Sequence, residues 1–353
     1  MAYSIVQQPT NPNVTYTNLV YVVSSTAYTS PQFQYVMDVV QGGTILTRVK
    51  QYPNPAGVGV FDPSRILNDY LEYDLSWTSD NFTPVTSVQT FDIKFGEEYG
   101  TSPSSSVTVY PNLATDNIEV FPGIVDPNNG ISYNWLDSGS AVLLTDRPSN
   151  IPVSSTDIFS VTAFNGTATS KTVSITGGQG GSVPAGQFKQ FVLTPSSDKT
   201  ITYNGRSISV PVEEDCNYDR INFAFINNYG FWDYYGFNLP KKKNTSVDRK
   251  NILKPFVDYS SATSPYNVNR RGTDTYNVRY TDDYSVSTPY LLQNEAEWVS
   301  QMIESPEVFI QQGSIMVPVE ITNATYTHNT NIRSQKAFQY EIQYRYANPR
   351  IAR

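Results

Sequence analysis

One histidine and one cysteine limit the chemistry this chain could carry out. His328 lies between Thr327 and Asn329, and no Gly-x-Ser-x-Gly elbow accompanies it to supply a nucleophile. It reads as a solvent-facing or hydrogen-bonding loop residue. Cys216 follows Glu213, Glu214 and Asp215. Neighbouring carboxylates disfavour the thiolate that a reactive cysteine needs, so Cys216 reads as a buried structural residue. The acidic groups Glu213, Glu214 and Asp215, or Asp282 and Asp283, offer oxygens for Ca²⁺, but neither group has EF-hand spacing, and Asp126 to Gly130 is too short a match. Zinc needs more His and Cys than the chain has. Gly177 to Gly181 lacks the Lys-Ser/Thr ending of a phosphate loop. With 32 acidic residues some carboxylate pair is inevitable, so pairing alone does not mark a glycosidase. The expectation is a non-enzymatic protein with no catalytic residue, metal or cofactor.

The elements that would carry any site are strands. Charged residues make up only 16% of the chain, while 26 Tyr and 17 Phe favour pleated, half-buried surfaces. A length of 353 residues exceeds one ordinary core. The expected fold is mainly β: several antiparallel sandwiches, Ig-like or jelly-roll-like, with two short helices at about 62–71 and 289–304. Residues 14–23, 33–40 and 44–50 read as successive strands, the last two joined through Gly42-Gly43. Asp62 is the expected cap of the first helix and Pro63 its first residue. Residues 89–95 alternate as a strand, and Gly96 to Ser106 reads as a loop. Asn204-Gly205 between alternating runs marks a two-residue hairpin turn. Thr288 and Pro289 open the second helix, whose expected apolar face holds Leu292, Ala296, Val299 and Ile303 beside Leu291, Trp298 and Met302. The final segment alternates Phe338, Tyr340, Ile342, Tyr344 and Tyr346 with polar residues, with Val317, Val319 and Ile321 as its natural partner. Pro318 places that partner at an edge, or turns its missing N–H away from a neighbour.

The loop at 96–106 suggests a first domain of 1–104, followed by 105–182 and 183–353. Gly177 to Gly181 suits either a linker or a long sandwich loop. A net charge of −8 and a pI near 4.8 weigh against non-specific nucleic-acid binding. Lys241-Lys242-Lys243 reads as a solvated loop. The first residues carry no basic or apolar signal region, and no apolar run reaches ~18 residues, so neither a signal peptide nor a membrane span is expected. The Asn-x-Thr triplets at Asn13, Asn81 and Asn165 therefore read as Thr-rich strand sequence. One cysteine suits assembly in a reducing cytoplasm.

Between Phe223 and Phe237, nine of fifteen positions are Phe, Trp, Tyr or Ile, punctuated by Asn227, Asn228, Gly230, Asp233 and Gly236. Such density makes either a core hairpin or a docking surface. Tyr229, Trp232, Tyr234, Tyr235 and Phe237 are the candidate interface residues, and strand alternation leaves core filling equally open for Trp232, Tyr234 and Tyr235.

Several segments, in order, resemble a family of structural proteins of tailed bacteriophages, of the Bacteroidetes-infecting and crAss-like type. They are 33–40, Arg48 to Pro55, Gly59 to Leu67, and Leu144-Thr145-Asp146-Arg147-Pro148. Cys216, Arg220, Phe223, Asn227, Gly230, Asp233 and Phe237 match a further core pattern, and Trp298 to Ala347 a closing block. Asp146 stands where the family pattern has Asn, and Asn228-Tyr229 where it has a basic–apolar pair. The resemblance implies a virion part that contacts copies of itself and other virion proteins, assembled in the host cytoplasm. A tail-region component (adaptor ring, baseplate or fibre attachment) is the leading expectation. A head-decoration or head-fibre protein is the alternative, as is a host-glycan-binding module using Trp77, Trp135 or Trp232.

Overall fold

The computed structural model describes residues 2–73, 82–84, 87–124, 141–177, 180–214, 218–254, 271–322 and 338–348. They form a mainly β protein of several antiparallel sheets with two short helices. The chain divides into two compact units: 1–213 with 226–234, and 214–225 with 235–353. The expected borders at 104/105 and 182/183 both fall inside sheets. Gln89–Tyr99 and Thr108–Phe121, on either side of the first, are paired antiparallel strands. Gly181–Val183 pairs with Lys171–Ile175, so the glycine run connects two strands of one sheet and is not a linker.

The first unit begins with a sandwich. Tyr3–Gln7, Tyr21–Ser25 and Val58–Phe61 form one layer, and Asn13–Val14, Thr108–Phe121, Gln89–Tyr99, Gln34–Gln41 and Thr44–Gln51 form the other. Their inward residues, among them Tyr21, Val23, Tyr35, Met37, Ile93 and Phe95, make one continuous core. The strand expected to stop at Phe95 runs on to Tyr99 through a bulge between Phe95 and Glu97. A Cβ at Gly96 would lie 2.4 Å from the Tyr110 carbonyl oxygen, so glycine admits that close approach and the strand continues. Two four-stranded sheets follow, and the Asn204-Gly205 hairpin joins Lys199–Tyr203 to Arg206–Val210 with φ of 47° and 86° at the turn. That is the mirror-image turn its sequence demands.

Helix α1 is only Ser64–Asn68. Pro63, expected as the first helical residue, occupies the capping position in place of Asp62, and Asp62 Oδ1, one residue outside, accepts the Leu19 and Ser64 N–H groups at 3.0 Å each.

A seven-stranded sheet, which belongs to the second unit except at residues 226 and 232–234, is ordered Trp232–Phe237, Ile221–Ile226, Val308–Gln312, Ile315–Ile321, Glu341–Tyr346, Thr273–Ser287 and Lys242–Leu253. Residues 226–234, at the tip of the aromatic hairpin, belong to the first unit. Helix α2, Gln293–Glu304, lays Trp298 against Phe225 and Tyr235 with ring centroids 5.9 and 5.8 Å away. It starts later than expected because Thr288 is used elsewhere: its hydroxyl accepts the Tyr340 N–H at 2.9 Å. Glu295 instead reaches back to the Leu292 N–H, at 2.8 Å. Leu292 is exposed, and the buried face runs through Ala296, Trp298, Val299 and Met302.

The final strand keeps its expected alternation, with Tyr340, Ile342 and Tyr344 buried and Gln339, Glu341 and Gln343 exposed. Its partner Ile315–Ile321 is a central strand, not an edge. Pro318 is tolerated because its carbonyl accepts the Ala347 N–H, which puts its nitrogen on the side where Glu341–Tyr346 has just ended.

Candidate assembly site

Four of the five candidate interface residues are interior. Trp232, Tyr234, Tyr235 and Phe237 are 4%, 2%, 4% and 0% exposed, and only Tyr229 is partly open. Alternation did not send half of them outward because the strand Trp232–Phe237 is covered on both faces. Phe237 meets Tyr235 and Phe223 edge-on, at 4.9 and 5.1 Å. The segment is a core hairpin, and a partner approaching the folded chain would not reach these rings.

Within the first unit, the hairpin tip meets Leu144 to Arg147 in a buried polar cluster. Asn227 organises it. Its Oδ1 accepts the Tyr229 and Phe231 N–H groups at 3.0 and 3.1 Å, and its Nδ2 donates to the Leu144 carbonyl at 3.0 Å. Thr145 donates to Asp233 Oδ2 at 2.8 Å. Arg147 donates to the carbonyls of Tyr234 and Ile151, at 2.7 and 3.0 Å, and its guanidinium lies over the Phe159 ring. A buried cation thus finds planar acceptors and a π face. Tyr229 donates to Asp146 at 2.8 Å. Burial, then the Asp146 charge, pushes the Tyr229 phenol well above its usual range, which keeps it a donor. Beneath, Phe231 stacks on Phe121 and Phe188. The arrangement fixes backbone; it offers no open face for a substrate.

The other candidates disperse. Glu213 and Glu214 are exposed, and the Glu213 N–H is tied to the Val153 carbonyl. Asp282 binds Lys243 and Thr245, while Asp283, the next residue along the strand, points to the opposite face. Among the described residues no three His, Cys, Asp or Glu converge on a metal-sized site, and no helix is long and apolar enough to cross a membrane. Asn165 is fully buried and donates to the Thr169 and Val183 carbonyls, so its triplet is structural. Trp77, Asn81, Asp126 to Gly130, Trp135, Asp215, Cys216 and His328 lie outside the described residues.

The feature that offers a surface was not anticipated. Lys242–Leu253 and Thr273–Ser287 pair along their length as an antiparallel ribbon, so Lys242 and Lys243 open a strand and are not a loop. All twelve residues of the first strand are exposed. Among the described residues the second pairs with a third strand only at Tyr284–Ser287. From Thr273 to Asp283 the described residues place just two strands in the ribbon, a span of about 35 Å at strand rise. Its base is anchored. Tyr284 stacks on Tyr344 at 5.3 Å, and the Lys243 ammonium is 2.8 Å from Asp282 and 5.6 Å above the Tyr284 ring. Further out, Val247 is opposite Tyr280 and Arg249 opposite Val278, and Lys254 pairs with Asp274. Tyr276, Val278, Tyr280, Tyr284 and Val286 alternate in the sequence, a signal that could have marked the second strand. The first has no such signal.

No protein-family model matches the chain, and no curated protein matches it either.

Proposed function

We propose that this chain is a non-enzymatic assembly protein of a virion, acting through protein–protein contacts in the tail region of a tailed phage. The observation that carries the reading is the exposed ribbon. An isolated two-stranded ribbon is marginally stable in water, and a chain that builds one this long has a use for it as a contact element. The resemblance to phage structural proteins supplies the setting. The buried aromatic hairpin and the Asn227–Arg147 cluster suit the same reading, because they spend the most distinctive residues on rigidity rather than on a reactive centre. Glycan binding loses one of its three candidate platforms, since Trp232 is 4% exposed.

The test is localisation. Mass spectrometry of purified particles should detect the chain, and a cryo-EM map should place it near the portal–tail axis. Density on the capsid surface would make it a head-decoration protein, and absence from the particle would end the proposal.

A further inference from the structure

We infer that the ribbon binds a second copy of this chain, seating its basic, partly apolar surface on the acidic surface of that copy; the inference rests on the assembly role proposed above. Charge is the first argument. Residues 241–287 hold nine of the chain's 24 Lys and Arg but only five of its 32 Asp and Glu. The remainder of the chain therefore carries 15 basic residues against 27 acidic ones. The strand Lys242–Leu253 sets Lys242, Lys243, Arg249 and Lys250 against Asp248 alone, while the chain outside 241–287 has a net negative charge, so like copies complement each other in charge.

The cations are also uncommitted. Lys242, Arg249, Lys250 and Arg279 are exposed and make no ion pair among the described residues. Among the described residues, the ribbon's ion pairs are Lys243 with Asp282 and Lys254 with Asp274, at the base and in the outer part.

Apolar area accompanies the charge. Val247, Ile252, Leu253 and Tyr276 are 48%, 51%, 84% and 67% exposed. Lone exposed apolar residues need no explanation, but Val247 and Leu253 share a face with Arg249, and Ile252 is on the other face with Lys242 and Lys250, so each face of the ribbon offers both charge and area to bury. Closely set Lys and Arg discourage edge-to-edge strand pairing, which favours docking through side chains. A nucleic acid would meet the same cations but also the net negative body, and Asp282 and Asp283 at the ribbon base would repel its phosphates.

Sedimentation velocity on the full chain tests this at about 50 mM and about 500 mM salt, which differ several-fold in screening. Wild type should associate at low salt and dissociate at high salt. Arg249→Glu with Lys250→Glu should weaken association at least tenfold with an unchanged circular-dichroism spectrum, and Lys242→Glu alone should weaken it less. Zero-length carbodiimide cross-linking of mixed ¹⁴N and ¹⁵N chains should join ribbon lysines of one copy to carboxylates of another. A chain that stays monomeric at low salt, or associates equally well with the reversed charges, overturns the inference. So does salt-sensitive binding of duplex DNA by a monomer, which would assign the cations to nucleic acid. In each case the chain's presence in purified particles decides separately whether the assembly role survives.

Discussion

A Cβ placed on Gly230 would lie 1.1 Å from the carbonyl oxygen of Pro122, closer than a covalent C–C bond. Gly230 also has φ +84°, so geometry and contact both demand glycine at the tip of the aromatic hairpin. Asn227 holds the same turn through three side-chain hydrogen bonds, and the Ile124 N–H reaches the Asn228 carbonyl at 2.8 Å.

Gly230→Ala should therefore cost at least about 3 kcal/mol or prevent folding, because backbone must move to admit the methyl group. Gly205→Ala is the control. Its φ is similar, +86°, but its Cβ would point into open space, so only the backbone strain of about 1 kcal/mol is lost. Urea unfolding of the two variants measures the difference, and equal costs would refute the close packing at Pro122.

The burial of Trp232 separates a core residue from an interface residue. Trp232→Ala should cost about 3–5 kcal/mol in the isolated protein. Tyr276→Ala, at 67% exposed on the ribbon, should stay within about 0.5 kcal/mol. Thermal unfolding reads both, and a neutral Trp232→Ala would restore that side chain to the surface.

Glu97 offers a change of opposite sign. It is 2% exposed, and its Oε2 has no hydrogen-bond partner. Glu97→Gln keeps the shape while exchanging the unpaired carboxylate for a neutral amide that can turn either end to its surroundings, and should raise stability by about 1 kcal/mol. Denaturant midpoints test it; a loss of stability would mean the carboxylate is held by contacts that an amide cannot replace.

Alkaline pH should expose the buried phenols. Burial raises the pKa of Tyr203 to about 12, and it drives Tyr21, Tyr234 and Tyr344 higher still. Below the ordinary value of 10 both folded and unfolded chains keep these protons, and their contribution to stability is complete. As pH rises past 10 the unfolded chain ionises first, so stability falls until the folded groups titrate; for Tyr203 that window runs from 10 to about 12. Absorbance at the phenolate band should show an incomplete titration, finished only as circular dichroism reports unfolding. A single smooth titration of all tyrosines in the folded protein would contradict the burial.

The sequence disclosed strands wherever one face is buried. Phe338 to Tyr346 and the Asn204-Gly205 hairpin were legible because alternation and turn chemistry are local. The helix starts were less so: Thr288 is a good cap, but a strand 52 residues away takes its hydroxyl. Position in a sheet was also hidden, as Pro318 shows, because it depends on where a neighbouring strand ends. The candidate site inverted. Aromatic density at 223–237 drew attention to residues that are buried, and the exposed ribbon escaped because Lys242–Leu253 has no apolar face to give it a period. A signal based on burial cannot find a strand that is exposed at every residue.

The division of the chain also has a genetic consequence. The first unit needs Phe231, which stacks on Phe121 and Phe188, yet residues 214–225 of the other unit intervene before it is made. On the ribosome the first unit must wait, its Phe121 and Phe188 rings lacking their third partner, until residue 234 has emerged. A gene cut at codon 213 would strand that cluster, so neither unit can be exchanged by recombination as a single cassette.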